Sequence, residues 1–483
     1  MFKTAAKGMA WTTSSTIVRS VAQMLQYAIL TRYLEKADFG IVAIATLFIG
    51  FTEIFLDMGL SVGILHKNDT TPQQYSSLFW LNIISGIVLT TILCLISPII
   101  AGKYGELELV SVLSLLSFTI LFSSLGNQHK TIQQKRLRFD YICIIEVSAA
   151  IVSLVVAFIS ARNGYGIYSL VFATLSNAAL QNISFLIVGL LLDHNISFHF
   201  SIKETVPFLK IGGYSIGSQI IDYYTRELDV IIISATLGKD TLGVYSLCKK
   251  LVMAFYGSIN PILYKVLTPL LAEIQDDIKR MKEIYFSVVE TMAVIGYPLY
   301  FAMSVLSVGI LTFMYGADYA EDATVFSLLA IYYGYLSPGS SVGSLQTALG
   351  RTDLAFVWTI CRVVISTCAI YLGAQFGIEW IVISLLLANI LMSPLSWRVM
   401  IKPMINAGFW EFFLLKNKPY LYNIIYAIPF YFLFSRISNI YLCILIGILY
   451  VALYAVFLFV FKRDTFIVQQ VILYIEKVRL FKK

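Results

Sequence analysis

Charge is what this chain has least of. Of its 483 residues only 13% are Asp, Glu, Lys or Arg, about half of the roughly 25% that soluble domains carry. With 58% hydrophobic residues and a mean hydropathy of +0.80, a soluble globular domain is excluded and an integral membrane protein remains. Cysteine is sparse too. Cys94, Cys143, Cys248, Cys361, Cys368 and Cys443 sit singly in apolar stretches, which reads as packing and not as a disulfide framework or thiolate site. The four histidines, His66, His129, His194 and His199, fall in expected cytoplasmic connections without ligand spacing, so neither a metal nor another cofactor is expected. A cleavable leader is also missing. "MFKTAAKGMAW" has no separate apolar core or small-residue cleavage site, and the first span is expected to act as an uncleaved signal anchor.

Long apolar runs are there instead. Windows of about 18 to 25 apolar residues, matched to a hydrocarbon core about 30 Å thick, predict fourteen spans. They cover 10–33, 39–65, 75–101, 108–126, 142–162, 166–192, 207–237, 241–264, 286–311, 321–349, 353–374, 378–400, 420–436 and 438–461. With the N-terminus cytoplasmic, 22 basic residues fall on that side, Lys416 among them, and 5 fall outside. Such a bias places both termini in the cytoplasm. The net charge of +7 then reports membrane orientation and implies no nucleic-acid partner.

An internal repeat organises these spans. At an offset of 203, "YLEKADFGIVAIATLF" (33–48) meets "TLGKDTLGVYSLCKKL" (236–251), pairing Lys36 with Lys239 and Gly40 with Gly243. Thr12, Thr16, Arg19, Gln23 and Gln26 recur in steps of four and three, one stripe on a helix. The same offset carries them onto Ser215, Gln219, Asp222, Arg226 and Asp229, and pairs Asp57 with Asn260. Six spans separate the two copies, so both halves share one orientation about a pseudo-twofold along the membrane normal. The expected architecture is an all-α polytopic membrane protein of about 14 transmembrane helices. Two parallel-repeat six-helix lobes (1–205 and 206–405) surround a central cavity, and an extra helix pair with a basic amphipathic tail (406–483) follows. The segment 267–286 is expected to lie on the cytoplasmic headgroups as an interfacial helix, because Leu267, Leu271, Ile274, Ile278 and Met281 share one side.

Ionisable residues inside the spans mark the candidate site, since each costs about 2.5–3.5 kcal/mol at the centre of an isolated helix. Arg19, Gln23, Gln26, Asp57, Asp222, Arg226, Asp229, Lys249, Lys250, Asn260 and Arg362 are the candidate cavity and substrate-binding residues. Arg226 is placed to pair with Asp222 or Asp229 on its own helix, while Glu227 points about 100° away towards another helix. Lysines and arginines at a cavity suit phosphate or carboxylate groups. Asp222 and Asp229 are the candidates for coupling to H+ or Na+.

The residues also carry a resemblance. "LTRYLEKADFG", "LDMGL", "SLFWLNIISGIV", "GNQHKTIQQKRLRFDYICIIEVSA", "NPILYKVLTPLLAEIQDD", "VGSLQTALGRTD" and "MIKP" occur in order across roughly 1–405. In these stretches the chain resembles Wzx-type polysaccharide exporters of the multidrug/oligosaccharidyl-lipid/polysaccharide superfamily, in the branch that includes the colanic acid exporter. The resemblance implies an inner-membrane flippase that moves an undecaprenyl-diphosphate-linked oligosaccharide by alternating access. Membrane lipids and polysaccharide-assembly proteins such as a polymerase would be its partners. It also implies an Arg and an Asp at Arg226 and Asp229 and a basic residue at Lys250, whereas Asp222 stands where many members have Asn. Two other readings are a drug/cation antiporter of the same superfamily and a polymerase or glycosyltransferase. The first wants acidic cavity groups, and the second wants a sizeable outer loop.

Overall fold

The computed structural model describes residues 2–67, 69–192, 196–434 and 437–461, and the predicted basic tail from Lys462 to Lys483 lies outside them. Among the described residues the regular structure is helical, without a strand. Each of the fourteen predicted windows falls on helix. Eight helices are individually long and apolar enough to cross a membrane, or nine with one bent pair counted as a span. Several of the other predicted spans fall on helices that carry the polar stripes or are broken part-way. The chain is a multi-pass membrane protein.

It divides into two compact units, Met1–Leu247 and Cys248–Lys483. The first holds α1 (Phe2–Leu30), α2 (Lys36–Asp57), α3 (Leu60–His66), α4 (Pro72–Tyr104), α5 (Glu108–Lys135), α6 (Phe139–Arg162), α7 (Tyr168–Leu192) and α8 (Ile202–Thr236). The boundary between these compact units falls within α9 (Gly238–Glu273), and α8 packs on α2, α3 and α4. The predicted second span is two helices. Met58 and Gly59 both take positive φ (45° and 70°) and end α2. A Cβ on Gly59 would overlap the Gly212 backbone of α8, so both positive φ and close approach demand glycine there.

The repeat leaves a direct mark in this unit. A Cβ on Gly40 would overlap the Lys239 carbonyl, and a Cβ on Gly243 would overlap the Lys36 carbonyl. These are the pairs aligned at an offset of 203, with partners exchanged. Reciprocal contacts of this kind are what a twofold relation produces.

The second unit continues with α10 (Ile278–Val305), α11 (Ser307–Tyr315), α12 (Ala323–Leu336), α13 (Val342–Leu349), α14 (Thr352–Ala374) and α15 (Ile378–Leu391). It ends with α16 (Ser393–Ser396), α17 (Lys402–Ile405), α18 (Phe409–Phe434) and α19 (Ile440–Phe461). Three of its predicted spans are interrupted, the first, 286–311, at Leu306 between α10 and α11. Between α12 and α13 the chain passes through a 3-10 turn, Pro338–Ser341. The segment 378–405 bends by 42° at Met392 and includes a π-helical turn, Trp397–Ile401.

The interfacial helix expected at 267–286 is not a separate element. α9 runs through to Glu273, and α10 starts at Ile278 after Asp277 accepts a hydrogen bond from the Arg280 amide. Leu267, Leu271 and Met281 are buried in a core with Tyr285, Met400, Ile401, Met404 and Ile405, and Ile274 packs against it. The stripe is apolar because it faces other helices of the protein.

Candidate functional site

In the first unit, helices α1, α2, α5, α6 and α7 enclose a cavity of about 500 Å³. Its lining is polar for a membrane bundle. Gln23, Gln26, Asn127, Asn177, Gln181 and Asn182 present amides, joined by hydroxyls of Thr46, Ser123 and Ser153 and by Glu53. Three of the predicted residues, Arg19, Gln23 and Gln26, face it together. They do so because they belong to one stripe of α1, and α1 packs along α6.

The charges here are paired. Glu146, on α6 and only 7% exposed, receives Arg19 Nη1 at 2.9 Å and Lys130 Nζ at 2.7 Å. Two cations share one carboxylate, so this cluster keeps a net positive charge. Gln26 Oε1 accepts a hydrogen bond from Ser153 Oγ at 3.3 Å, and that hydroxyl also donates to the Ala173 carbonyl at 2.7 Å. Lys130, Asn127, Asn177, Gln181 and Asn182 were not among the predicted residues. Lys130 looks from sequence like a basic cytoplasmic connection, yet α5 continues to Lys135 and carries it beside Glu146. The same extension buries His129 inside α5, so it is no loop residue.

The α8 stripe divides into exposed and buried groups. Asp222 and Arg226 are exposed, and Arg226 lies 5.4 Å above the Tyr223 ring. The Tyr223 hydroxyl donates to the Leu47 carbonyl of α2 at 2.6 Å and so fixes that ring. Arg226 Nε meets Glu227 Oε1 at 3.1 Å. Glu227 therefore contacts its neighbour despite the expected 100° divergence, because a long guanidinium stem can fold sideways. Asp229 is buried, accepting the Tyr245 hydroxyl at 2.5 Å and the Val230 amide at 2.9 Å. Asp57 ends α2 and accepts from the amide and hydroxyl of Ser61 in α3. Both aspartates thus hold helices together where they stand. The side chains of Ser215 and Asn260 lie outside the described residues.

In the second unit Lys249 is buried and Lys250 half-buried on α9. Arg362 of α14 lines a smaller cavity of about 180 Å³ together with Lys416 of α18. Lys416 Nζ sits 3.6 Å over the Tyr335 ring. It was counted by sequence as a cytoplasmic charge, and the missed signal is that α18 starts at Phe409, well before the predicted span at 420.

A membrane bundle of broken helices with polar and cationic cavities within its units defines a transporter-like class of fold. A solved structure titled "Lipid II flippase MurJ, inward closed conformation" shares it at a TM-score of 0.73, with 17% identity, over 93% of this chain and 98% of that one. The family model described as "Polysaccharide biosynthesis protein" matches residues 29–324, and the chain belongs to that family. It is 25% identical over 408 residues to the lipopolysaccharide biosynthesis protein WzxC of Escherichia coli K12, covering 84% of this chain and 83% of WzxC. It is 26% identical over 406 residues to the teichuronic acid biosynthesis protein TuaB of Bacillus subtilis 168, covering 83% and 84%.

Proposed function

We propose that this protein is a flippase for lipid-linked oligosaccharide. It carries the repeat unit of a surface polysaccharide across the bacterial inner membrane by alternating access and is a transporter, not an enzyme. The observation that carries this reading is the first unit's cavity. Its volume of about 500 Å³ lies within the roughly 300–1,000 Å³ of ligand pockets. Six side-chain amides line it beside an ion cluster of net positive charge. Each amide offers two donors and an acceptor, which is the complement of sugar hydroxyls. Apolar cargo gives no reason to line a lipid-embedded cavity in this way, because every buried polar group needs a partner.

In this reading Arg226 and Lys250 bind the diphosphate of the carrier, with Arg19, Gln23 and Gln26 contacting the glycan. Arg226 is suited to it, its side chain being 62% exposed. Asp222 and Asp229 are the acidic residues proposed for H+ or Na+ coupling; Asp222 is exposed, and Asp229 is buried and accepts the Tyr245 hydroxyl. The glycan delivered to the outer leaflet would pass to a polymerase and the rest of the assembly machinery.

The test is transport in proteoliposomes of undecaprenyl-diphosphate-linked oligosaccharide. Arg226→Ala combined with Lys250→Ala should reduce flipping about a hundredfold or more, since charge-assisted contacts each contribute ~1.5–3 kcal/mol. Unchanged flipping removes both residues from the site. Cation-driven dye efflux without glycan transport would instead support the antiporter reading.

A further inference from the structure

The second unit contains a site that the glycan-binding reading does not use. Its cavity lies where two interrupted helices face one another. Leu336, Pro338, Gly339 and Ser340 come from the break between α12 and α13, and Met392, Ser393 and Ser396 come from the bend after α15. Irregular backbone at membrane depth is tolerated where it is buried in protein or lines a polar cavity. Both breaks coincide with this cavity.

Arg362 and Lys416 project into it, and among the described residues its lining contains no carboxylate. Among the described residues Arg362 Nε is buried with no hydrogen-bond partner. Lys416 Nζ rests 3.6 Å over the Tyr335 ring, and a Cβ on Gly339 would stand 3.5 Å from it. The site is also rigidly built. The Tyr335 hydroxyl is 3.2 Å from both Ser393 Oγ and Asn417 Oδ1, and the Tyr297 hydroxyl donates to the Lys416 carbonyl at 3.2 Å. These bonds hold α18 against α10, α12 and α16.

Two basic side chains with no carboxylate among the described lining residues hold their charge in a low-dielectric pocket at a cost, which a bound anion offsets. We propose that this cavity binds a phosphate-type oxyanion, with the Arg362 guanidinium and Lys416 ammonium as its charged ligands. The hydroxyls of Ser393 and Ser396 and the second amide N–H of Asn389 and of Asn417 are the neutral donors around it. At about 180 Å³ the cavity is below the roughly 300 Å³ at which ligand pockets begin. A phosphoryl group fits it and an oligosaccharide does not. The anion is either a free oxyanion or the phosphoryl headgroup of a lipid.

The experiment uses the purified full-length protein in nanodiscs of phosphatidylcholine, titrated with inorganic pyrophosphate by calorimetry and thermal unfolding. Saturable binding with a raised unfolding midpoint is expected, absent for chloride at matched ionic strength. Arg362→Gln and Lys416→Gln should each weaken it about tenfold or more. The charge-keeping Arg362→Lys and Lys416→Arg should stay within a few-fold of wild type. No binding overturns the proposal, as does equal binding by both neutral variants, or equal loss in the charge-keeping ones. Undecaprenyl phosphate added to the nanodisc should compete with pyrophosphate if a lipid headgroup is the natural anion, and should leave its affinity unchanged if a free oxyanion is. The titration is made in the Arg226→Ala, Lys250→Ala background, so that the proposed carrier-diphosphate site does not contribute and the outcome is separate from the flippase assay.

Discussion

Glu146 shows how a single side chain sets the electrostatics of the first unit's cavity. It neutralises one of two cations that would otherwise face each other, Arg19 at 2.9 Å and Lys130 at 2.7 Å. Replacing it with isosteric Gln removes the carboxylate that both cations contact. Removing one partner of a buried ion pair costs ~3–5 kcal/mol. The lower end applies, because the Arg19 and Lys130 side chains are 37% and 28% exposed and can recruit water. Glu146→Gln should lower the unfolding midpoint of the purified protein, and adding Arg19→Gln should cost little more. Glu204, at the start of α8, makes a second residue-scale case outside the spans. Hydrogen bonds from the Ser77 hydroxyl (2.6 Å) and then His199 (3.0 Å) hold its carboxyl below the usual range. Because its folded value is depressed, the stabilisation is present above the unfolded value, roughly 4.3. It is lost as pH falls through the folded value. The Ser201 amide donates to Ser77 Oγ and the Ser197 amide to Ser76 Oγ. Hydrogen exchange at the Ser201 amide, corrected for intrinsic rates, should therefore speed up in acid. Ser77→Ala should remove that pH dependence.

At the scale of helices, the close approach of α2 and α9 is governed by two glycines. A methyl on Gly40 or Gly243 overlaps a carbonyl of the other helix, and overpacking costs ~1–3 kcal/mol or more where backbone cannot yield. Gly40→Ala and Gly243→Ala should each lower the unfolding midpoint by similar amounts, and the double variant by less than their sum, since both act on one contact. Gly102→Ala in α4, with open space around its Cβ position, should be neutral or slightly stabilising. The two stretches were legible in the sequence as an aligned pair of loops, "YLEKADFG" and "TLGKDTLG", but not their contact. The stripe at 267–286 was legible as well, but its burial partner was not. An apolar face reads the same whether it meets lipid or Met400 and Ile401. Breaks at Met58, Ser337 and Met392 were missed because hydropathy windows average over one turn of irregular backbone.

The whole molecule joins a membrane bundle with the fold of MurJ to two cavities of different chemistry, one in each unit. One is amide-rich and sized for sugars, and the other is small and cationic. Membrane residence, the stretches that become helix and the repeat at 203 residues were set by the sequence alone, since each depends on composition, local periodicity or short-range turn chemistry, whereas the breaks within those stretches were not. The polar stripe of α1 could be read the same way, because 3.6 residues per turn dictates which residues share a face. Only the tertiary structure decided which charges meet. Glu146 joins Arg19 and Lys130 across three helices, Asp229 turns to Tyr245, and Lys416 enters a cavity although it reads as a loop lysine. Such pairings depend on how helices far apart in the chain rotate and cross, and no local pattern in the sequence encodes that.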